Sequence, residues 1–305
     1  MASLKTIKGK ILATAKTRKV TKAMEAVSAA KMRKAQVKAL SDRAYAKAAV
    51  GVLSRLSASS ALTQHAFVEA RPIKKALYIV ITSDKGLAGA LNSGVLKAAA
   101  GDIAALGLAP EDVHIIAVGR RANDFFSRRG FIVDSYFENA EGKIGADAIG
   151  RVVEEALLSY RLGGTDTVRV AFQSFISTFE QRPAVRTMLP FSIEELAKIV
   201  AEIVPAKGKF AGDESVSAAP KEYALEPSEE GIIDALVPRL SSIFVYHALL
   251  EGQASEHSAR MVAMKNASDK AGERVRSLTR VFNRARQAGI TREVSEIIGG
   301  IEAMA

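Results

Sequence analysis

The chain has 305 residues, 48% of them apolar and 25% charged, with a formal net charge of +10 and no cysteine. That length can bury a sizeable core in two modest domains. It excludes a disulfide framework, a thiolate nucleophile and any Cys-ligated metal or redox site. No apolar run reaches the ~18 residues that a membrane-spanning helix needs, and the first thirty residues lack the apolar stretch of a signal peptide.

The charge is local. Residues 1–50 carry 13 Lys and Arg against Glu25 and Asp42, while residues 51–250 are net acidic. The eight prolines all lie between Pro72 and Pro238, so both ends are free to form long continuous helices. At the N-terminus, alternating 3–4 spacing picks out Leu4, Ile7, Ile11, Thr14, Arg18, Thr21, Glu25, Ser28, Met32, Ala35 and Ala39. This is a heptad seam, apolar at its ends and polar in its middle. A helix over residues 3–57 would run roughly 80 Å.

The middle of the chain changes period. Residues 76–82 (ALYIVIT), 113–118 (VHIIAV) and 168–172 (VRVAF) are short apolar runs of buried-strand type. Helical patterns fall at 89–106, 120–129 and 145–161. Strand alternating with helix predicts an α/β sheet covered on both faces. Ser83–Gly94 (SDKGLAGALNSG) joins the first strand to the first helix, where such folds place phosphate sites. Its glycines at 86, 89 and 94 fail the GxGxxG spacing, and no Gly-Lys pair is followed by Ser or Thr. A tight turn, capped by Ser83 or Asp84 and with glycines allowing close helix–strand packing, is the plainer reading. Residues 206–222 read as a polar loop or hairpin tip.

Past Glu226-Pro227, Ser228 is placed to cap a helix whose first turn carries Glu229 and Glu230. From Leu250 the 3–4 spacing continues through Ala254, His257, Met261, Met264, Ser268, Ala271, Val275, Leu278, Phe282, Ala285 and Gly289. Over residues 228–303 this helix would span roughly 115 Å. Two heptad-bearing ends flanking one α/β domain predict a long antiparallel two-helix coiled coil plus a central Rossmann-like domain. The expected divisions are 1–57, 74–205, a linker at 206–227, and 228–305. Both seams are rich in small and polar residues, so the pair should be marginal alone.

Catalytic constellations are thin. His65, His114, His247 and His257 share no metal-ligand spacing; His257 falls on the seam and reads as packing. No cofactor or metal site is expected. The basic N-terminal helix fits a polyanion, and a nucleic-acid-binding coiled coil is the competing reading. Against it, the first aromatic residue is Tyr45, and single-strand binders interleave aromatics for stacking.

Both ends carry a family resemblance. Thr21–Met24 (TKAM) with Val27–Ala35 (VSAAKMRKA) resembles the N-terminal motif of the γ subunit of F-type ATP synthases. Ala254–Glu273 (ASEHSARMVAMKNASDKAGE) and Asn283–Gly300 (NRARQAGITREVSEIIGG) resemble that family's two C-terminal motifs. Ser83–Asn92 (SDKGLAGALN) is similar to its SDRGLCGGLN loop, with Ala88 where many members have Cys. The resemblance implies a non-catalytic rotor shaft that transmits torque between a proton-driven c-ring and the catalytic β subunits. It implies α, β, ε and c-ring partners, no nucleic acid, and membrane association only through the complex. By motif position it implies contacts with the α/β hexamer at Lys22, Met24, Arg33, Arg260, Arg286, Gln287, Thr291 and Glu293. It implies contacts of the foot with ε and the c-ring at Tyr223 and Glu226. A start at MASLKTIK points to a bacterial protein, peripheral on the cytoplasmic face of the inner membrane.

Overall fold

The computed structural model describes residues 3–41, 65–139, 144–192 and 229–303. The chain divides into two compact units: residues 1–29 with 260–305, and residues 30–259. The expected boundaries at 57, 205–206 and 227–228, with Ser228 itself, lie outside the described residues, as does the expected loop at 206–222.

In the second unit, β1 (Ala76–Ile81), β2 (Val113–Val118), β3 (Ile132–Phe137), β4 (Thr167–Phe175) and β5 (Gln181–Leu189) form one sheet, ordered β3-β2-β1-β4-β5. The first four strands are mutually parallel, and β5 runs antiparallel to β4. Helices α2 (Leu91–Ala105), α3 (Arg120–Ser127) and α4 (Ala146–Arg161) lie in the intervening connections. Every residue of β1 is buried, as a central strand covered on both faces requires. Its alternation feeds two cores. Leu77, Ile79 and Ile81 join Val153, Tyr160, Leu240, Phe244 and Val245 in one. Tyr78 and Val80 join Val95, Ile103, Ile115 and Phe126 in the other.

Two strands have no counterpart in the sequence expectation. β5 reads QRPAVRTML, polar and interrupted by Pro183. An edge strand tolerates proline because one side of its backbone needs no ladder partner. β3 reads IVDSYF, with exposed and half-buried residues alternating, which is the signature of the opposite edge rather than of a buried strand.

The long terminal helices are α1 (Leu4–Ser41) and α5 (Glu229–Glu302). In the first unit, Arg18 lies against Gly272. In the second, the Lys38 ammonium sits 5.2 Å from the centre of the Tyr246 ring. Residue numbers rise along one helix as they fall along the other, so the pairing is antiparallel. The predicted α5 stripe from Leu250 to Gly289 contains no exposed residue, while Lys265, Lys270, Glu273, Arg274 and Arg276 beside it are exposed. On α1, Ile7, Thr21, Ser28, Met32 and Ala35 are buried along the predicted seam. Among the seam residues whose burial is described, Arg18 and Leu4 are the exposed ones.

Candidate functional site

The polar middle of α1 follows from its threonines. Thr14, Thr17 and Thr21 donate their hydroxyls to the carbonyls of Lys10, Ala13 and Thr17 at 2.8, 3.1 and 3.1 Å. These bonds satisfy the side chains inside the helix itself, so they demand nothing of the facing helix. A Cβ on Gly272 would stand 3.2 Å from Arg18 Nε. The missing side chain makes room for a guanidinium at a seam position.

The expected contact residues fall in three groups. Lys22 is exposed and donates to both carboxylate oxygens of Glu25, at 3.1 and 3.2 Å. Met24 is half-buried and Arg33 exposed, while Arg260 is half-buried and already partnered. Near the end of α5, Arg286, Gln287 and Glu293 are exposed. Thr291 donates to the Gln287 carbonyl at 3.0 Å, and Arg292 Nε donates to Glu296 at 2.8 Å. All described residues after Gly289 are exposed. Ile290, Val294, Ile297 and Ile301 recur there at helical spacing, between 49% and 65% exposed. Tyr223 and Glu226 lie outside the described residues.

The turn after β1 departs from its expected capping. The N-cap of α2 is Ala90, which makes no side-chain capping bond. Asn92 reaches back instead: its Oδ1 accepts the Ser83 N–H at 3.0 Å, and its Nδ2 donates to Ser83 Oγ at 2.8 Å. Asp84 accepts the Arg120 N–H at 2.7 Å, so it serves the first turn of α3 and ties two βα turns together. The glycines are not pressed against strand backbone; the nearest atoms to a Cβ on Gly86 or Gly94 belong to side chains, at 3.4 and 3.8 Å. Gly89 is required for its φ of +61°, and Leu87 adopts φ 65° beside it. The close approach is at Gly119, with φ +99°, where a Cβ would fall 2.2 Å from the Thr82 carbonyl oxygen.

His65, His114 and His247 each lie beside a carboxylate. His114 Nδ1 lies 3.0 Å from Asp134 between β2 and β3, and His65 Nε2 lies 3.3 Å from Asp234. The third contact is buried: His247 Nδ1 lies 3.1 Å from Glu251 Oε1 on successive turns of α5. Glu251 Oε2 also accepts the Phe175 N–H, 3.1 Å away at the end of β4. Burial alone would push the Glu251 carboxyl up. The bond and charge of His247, with bonds from Ser174 and Phe175, hold it below its ordinary value. The i, i+4 spacing of His247 and Glu251 was the available sequence signal for this lock. His257 is buried, as its seam position suggested. Among the described residues, no group of His and acidic side chains could hold a metal ion, and no helix is long and apolar enough to cross a membrane.

These features define a subunit built from paired long terminal helices and a doubly covered, mainly parallel sheet. A family model described as ATP synthase matches residues 3–304. The chain is 37% identical to the ATP synthase gamma chain of Heliobacterium modesticaldum and 36% identical to that of Pelotomaculum thermopropionicum, with all of each chain covered. In fold it is similar to a chain in the Euglena gracilis mitochondrial ATP synthase structure of OSCP, F1 and c-ring. There the TM-score is 0.66 at 19% identity, covering 99% of this chain and 94% of that one. The chain belongs to the ATP synthase gamma chain family.

Proposed function

We propose that the chain is the central rotor stalk of an F-type ATP synthase, carrying torque between a proton-driven c-ring and the catalytic β subunits of an α/β hexamer. In this reading it is not itself catalytic. It lies peripherally on the cytoplasmic face of a bacterial inner membrane, with ε and the c-ring at its foot. The observation that carries the reading is the antiparallel pair of terminal helices, ending in an α5 segment whose described residues after Gly289 are all exposed. Full-length similarity to gamma chains supports it.

The parts would act as follows. The end of α5 seats in the sleeve of the hexamer through Arg286, Gln287, Thr291 and Glu293. Lys22, Met24, Arg33 and Arg260 meet the moving lobes lower down, and Tyr223 and Glu226 contribute to the foot. Exposed ion pairs contribute only ~0–1 kcal/mol each. A contact such as Lys22 with Glu25 therefore exchanges cheaply for an acidic group on a passing lobe. Bearing surfaces that form and break each turn require that property.

Co-purification tests the reading. Tagged chain should bring down two distinct partner subunits with ATPase activity, and truncation after Ile290 should weaken that assembly. A soluble, folded chain that never joins such a complex, and instead binds DNA in a salt-sensitive way, would contradict it.

A further inference from the structure

Within the second unit, α5 meets the sheet in two chemically distinct ways. Leu240, Phe244, Ala248 and Leu249 join the core formed with Leu77, Ile79 and Ile81 of β1. Just past them the contacts turn polar and fall on one stripe. Glu251 Oε2 accepts the Phe175 N–H at 3.1 Å, Ser255 Oγ donates to the Gln173 carbonyl at 3.3 Å, and Ser258 Oγ donates to the Thr178 carbonyl. These positions are i, i+4 and i+7 on α5, one face of the helix over ~10 Å. Ser255 and Ser258 are fully buried. Every partner is a backbone group at the carboxyl end of β4 or in the turn after it. The stripe also has a particular place in the sheet. In the order β3-β2-β1-β4-β5, the chain winds outward from β1 and then returns to set β4 on the other side, so the switch point lies between β1 and β4. Open α/β sheets take ligands beyond the carboxyl ends of their strands at such a point. Here α5 itself lies there: a Cβ on Gly252 would stand 3.5 Å from Cγ2 of Ile81, the last residue of β1.

We propose that Glu251, Ser255 and Ser258 form a torque joint: they fix the angle of α5 about its own axis against the sheet, so that turning force passes between the sheet domain and the long helix at this stripe. This rests on the rotor-stalk reading above and names where within the chain the force crosses. Apolar burial is non-directional, so the contacts from Leu240 to Leu249 hold α5 to the sheet but resist rolling less. Hydrogen bonds weaken steeply as their angles close, so three on one stripe resist both rolling and sliding. Their backbone partners have no rotamers with which to follow a moving helix. Both ends of the stripe are braced further. Glu251 Oε1 lies 3.1 Å from His247 Nδ1, and Gln181 Nε2 donates to the Thr178 carbonyl at 3.0 Å and to Ser258 Oγ at 3.4 Å. The stretch ALLEGQASEHS (residues 248–258) thus places a carboxylate and two hydroxyls where further apolar residues would have served burial alone.

The test is the spread of dwell angles in single rotating complexes. The α/β hexamer is fixed to a surface, ATP is supplied, and a bead is carried on Arg128→Cys in the sheet domain. Ser255→Ala with Ser258→Ala removes two of the three bonds and buries no unpaired charge, so the chain should stay folded. A second variant adds Glu251→Gln. The double variant should widen the variance of the dwell angles about twofold, and the triple variant further, because the directional contacts that set the stiffness are gone. Leu249→Ala is the comparison. It should lower the urea midpoint of the isolated chain at least as much as the serine pair, yet leave the spread of the parent complex. An unchanged spread in the double and triple variants overturns the proposal. Equal widening by Leu249→Ala also overturns it, since the stripe would then be ordinary packing. Both of those results leave the rotor-stalk reading intact. A parent complex that hydrolyses ATP while its bead stays fixed overturns that reading and the proposal with it.

Discussion

The sheet and the helix pair are held by different means. In the sheet, β1 is buried along its whole length, and large side chains such as Tyr78, Tyr160 and Phe126 are fully enclosed. In the first unit, the buried positions of the pair are Ile7, Thr21, Ser28, Met264, Ser268 and Ala271, with Gly272 left open for Arg18. Apolar burial stabilises by about 25 cal/mol per Å², so a seam of small and polar residues contributes far less per turn. The sheet domain has the core of a free-standing domain. In the first unit the helix pair has no comparable core among its described residues.

The largest expected effect is in the sheet. Phe126→Ala should cost about 3–5 kcal/mol by urea unfolding, because it empties an edge-to-face cluster with Phe125 and Phe131. A loss below 1 kcal/mol would mean that the α3 face of the sheet is not the cooperative core. The contrasting deletion, Met264→Ala in the seam, should leave the sheet's unfolding midpoint unchanged. In the isolated chain, amides at 8–28 and 262–285 should exchange about a hundredfold or more faster than those of β1, since local opening of the pair precedes global unfolding. Equal protection would erase the distinction between the two regions.

The next effect concerns the lock between α5 and β4. Glu251→Gln should cost about 1–3 kcal/mol at neutral pH, the range for a hydrogen-bonded charge. Glu251 is held low in the folded state. Its contribution is therefore present above the ordinary carboxylate range and is lost as pH falls through it. The difference between Glu251→Gln and the parent chain should shrink below about pH 4. A constant offset at all pH values would contradict the assignment. The smallest effect is Lys22→Ala: about 0.5 kcal/mol or less on the isolated chain, because Lys22 is exposed. Its consequence belongs to the assembled complex, where ATPase coupling is the readout.

How much of this was legible beforehand follows the same division. The heptad stripe of α5 was readable from Leu250 to Gly289 because burial there repeats with a single period. The central strands were readable because burial on both faces makes them continuously apolar. β3 and β5 were not, because an edge strand is shaped by its neighbour more than by its own composition. The turn after β1 was placed correctly as a βα connection, but its hydrogen bonds were misassigned. Asp84 and Asn92 find partners across the turn, in α3 and at Ser83, and sequence proximity does not reveal such pairs. The expected contacts at Lys22, Arg260 and Arg286 were nominated by motif position, since a charge on a helix carries no local signal of what it meets.

The central claim is rotation, and the chain's lack of cysteine makes it directly measurable. Arg128→Cys, at an exposed position after α3, would give a unique label on the sheet domain. With the α/β hexamer fixed to a surface and ATP supplied, a bead on that label should turn in one direction, in steps that slow as ATP is diluted. A complex that hydrolyses ATP at full rate while the labelled chain stays fixed would contradict the account.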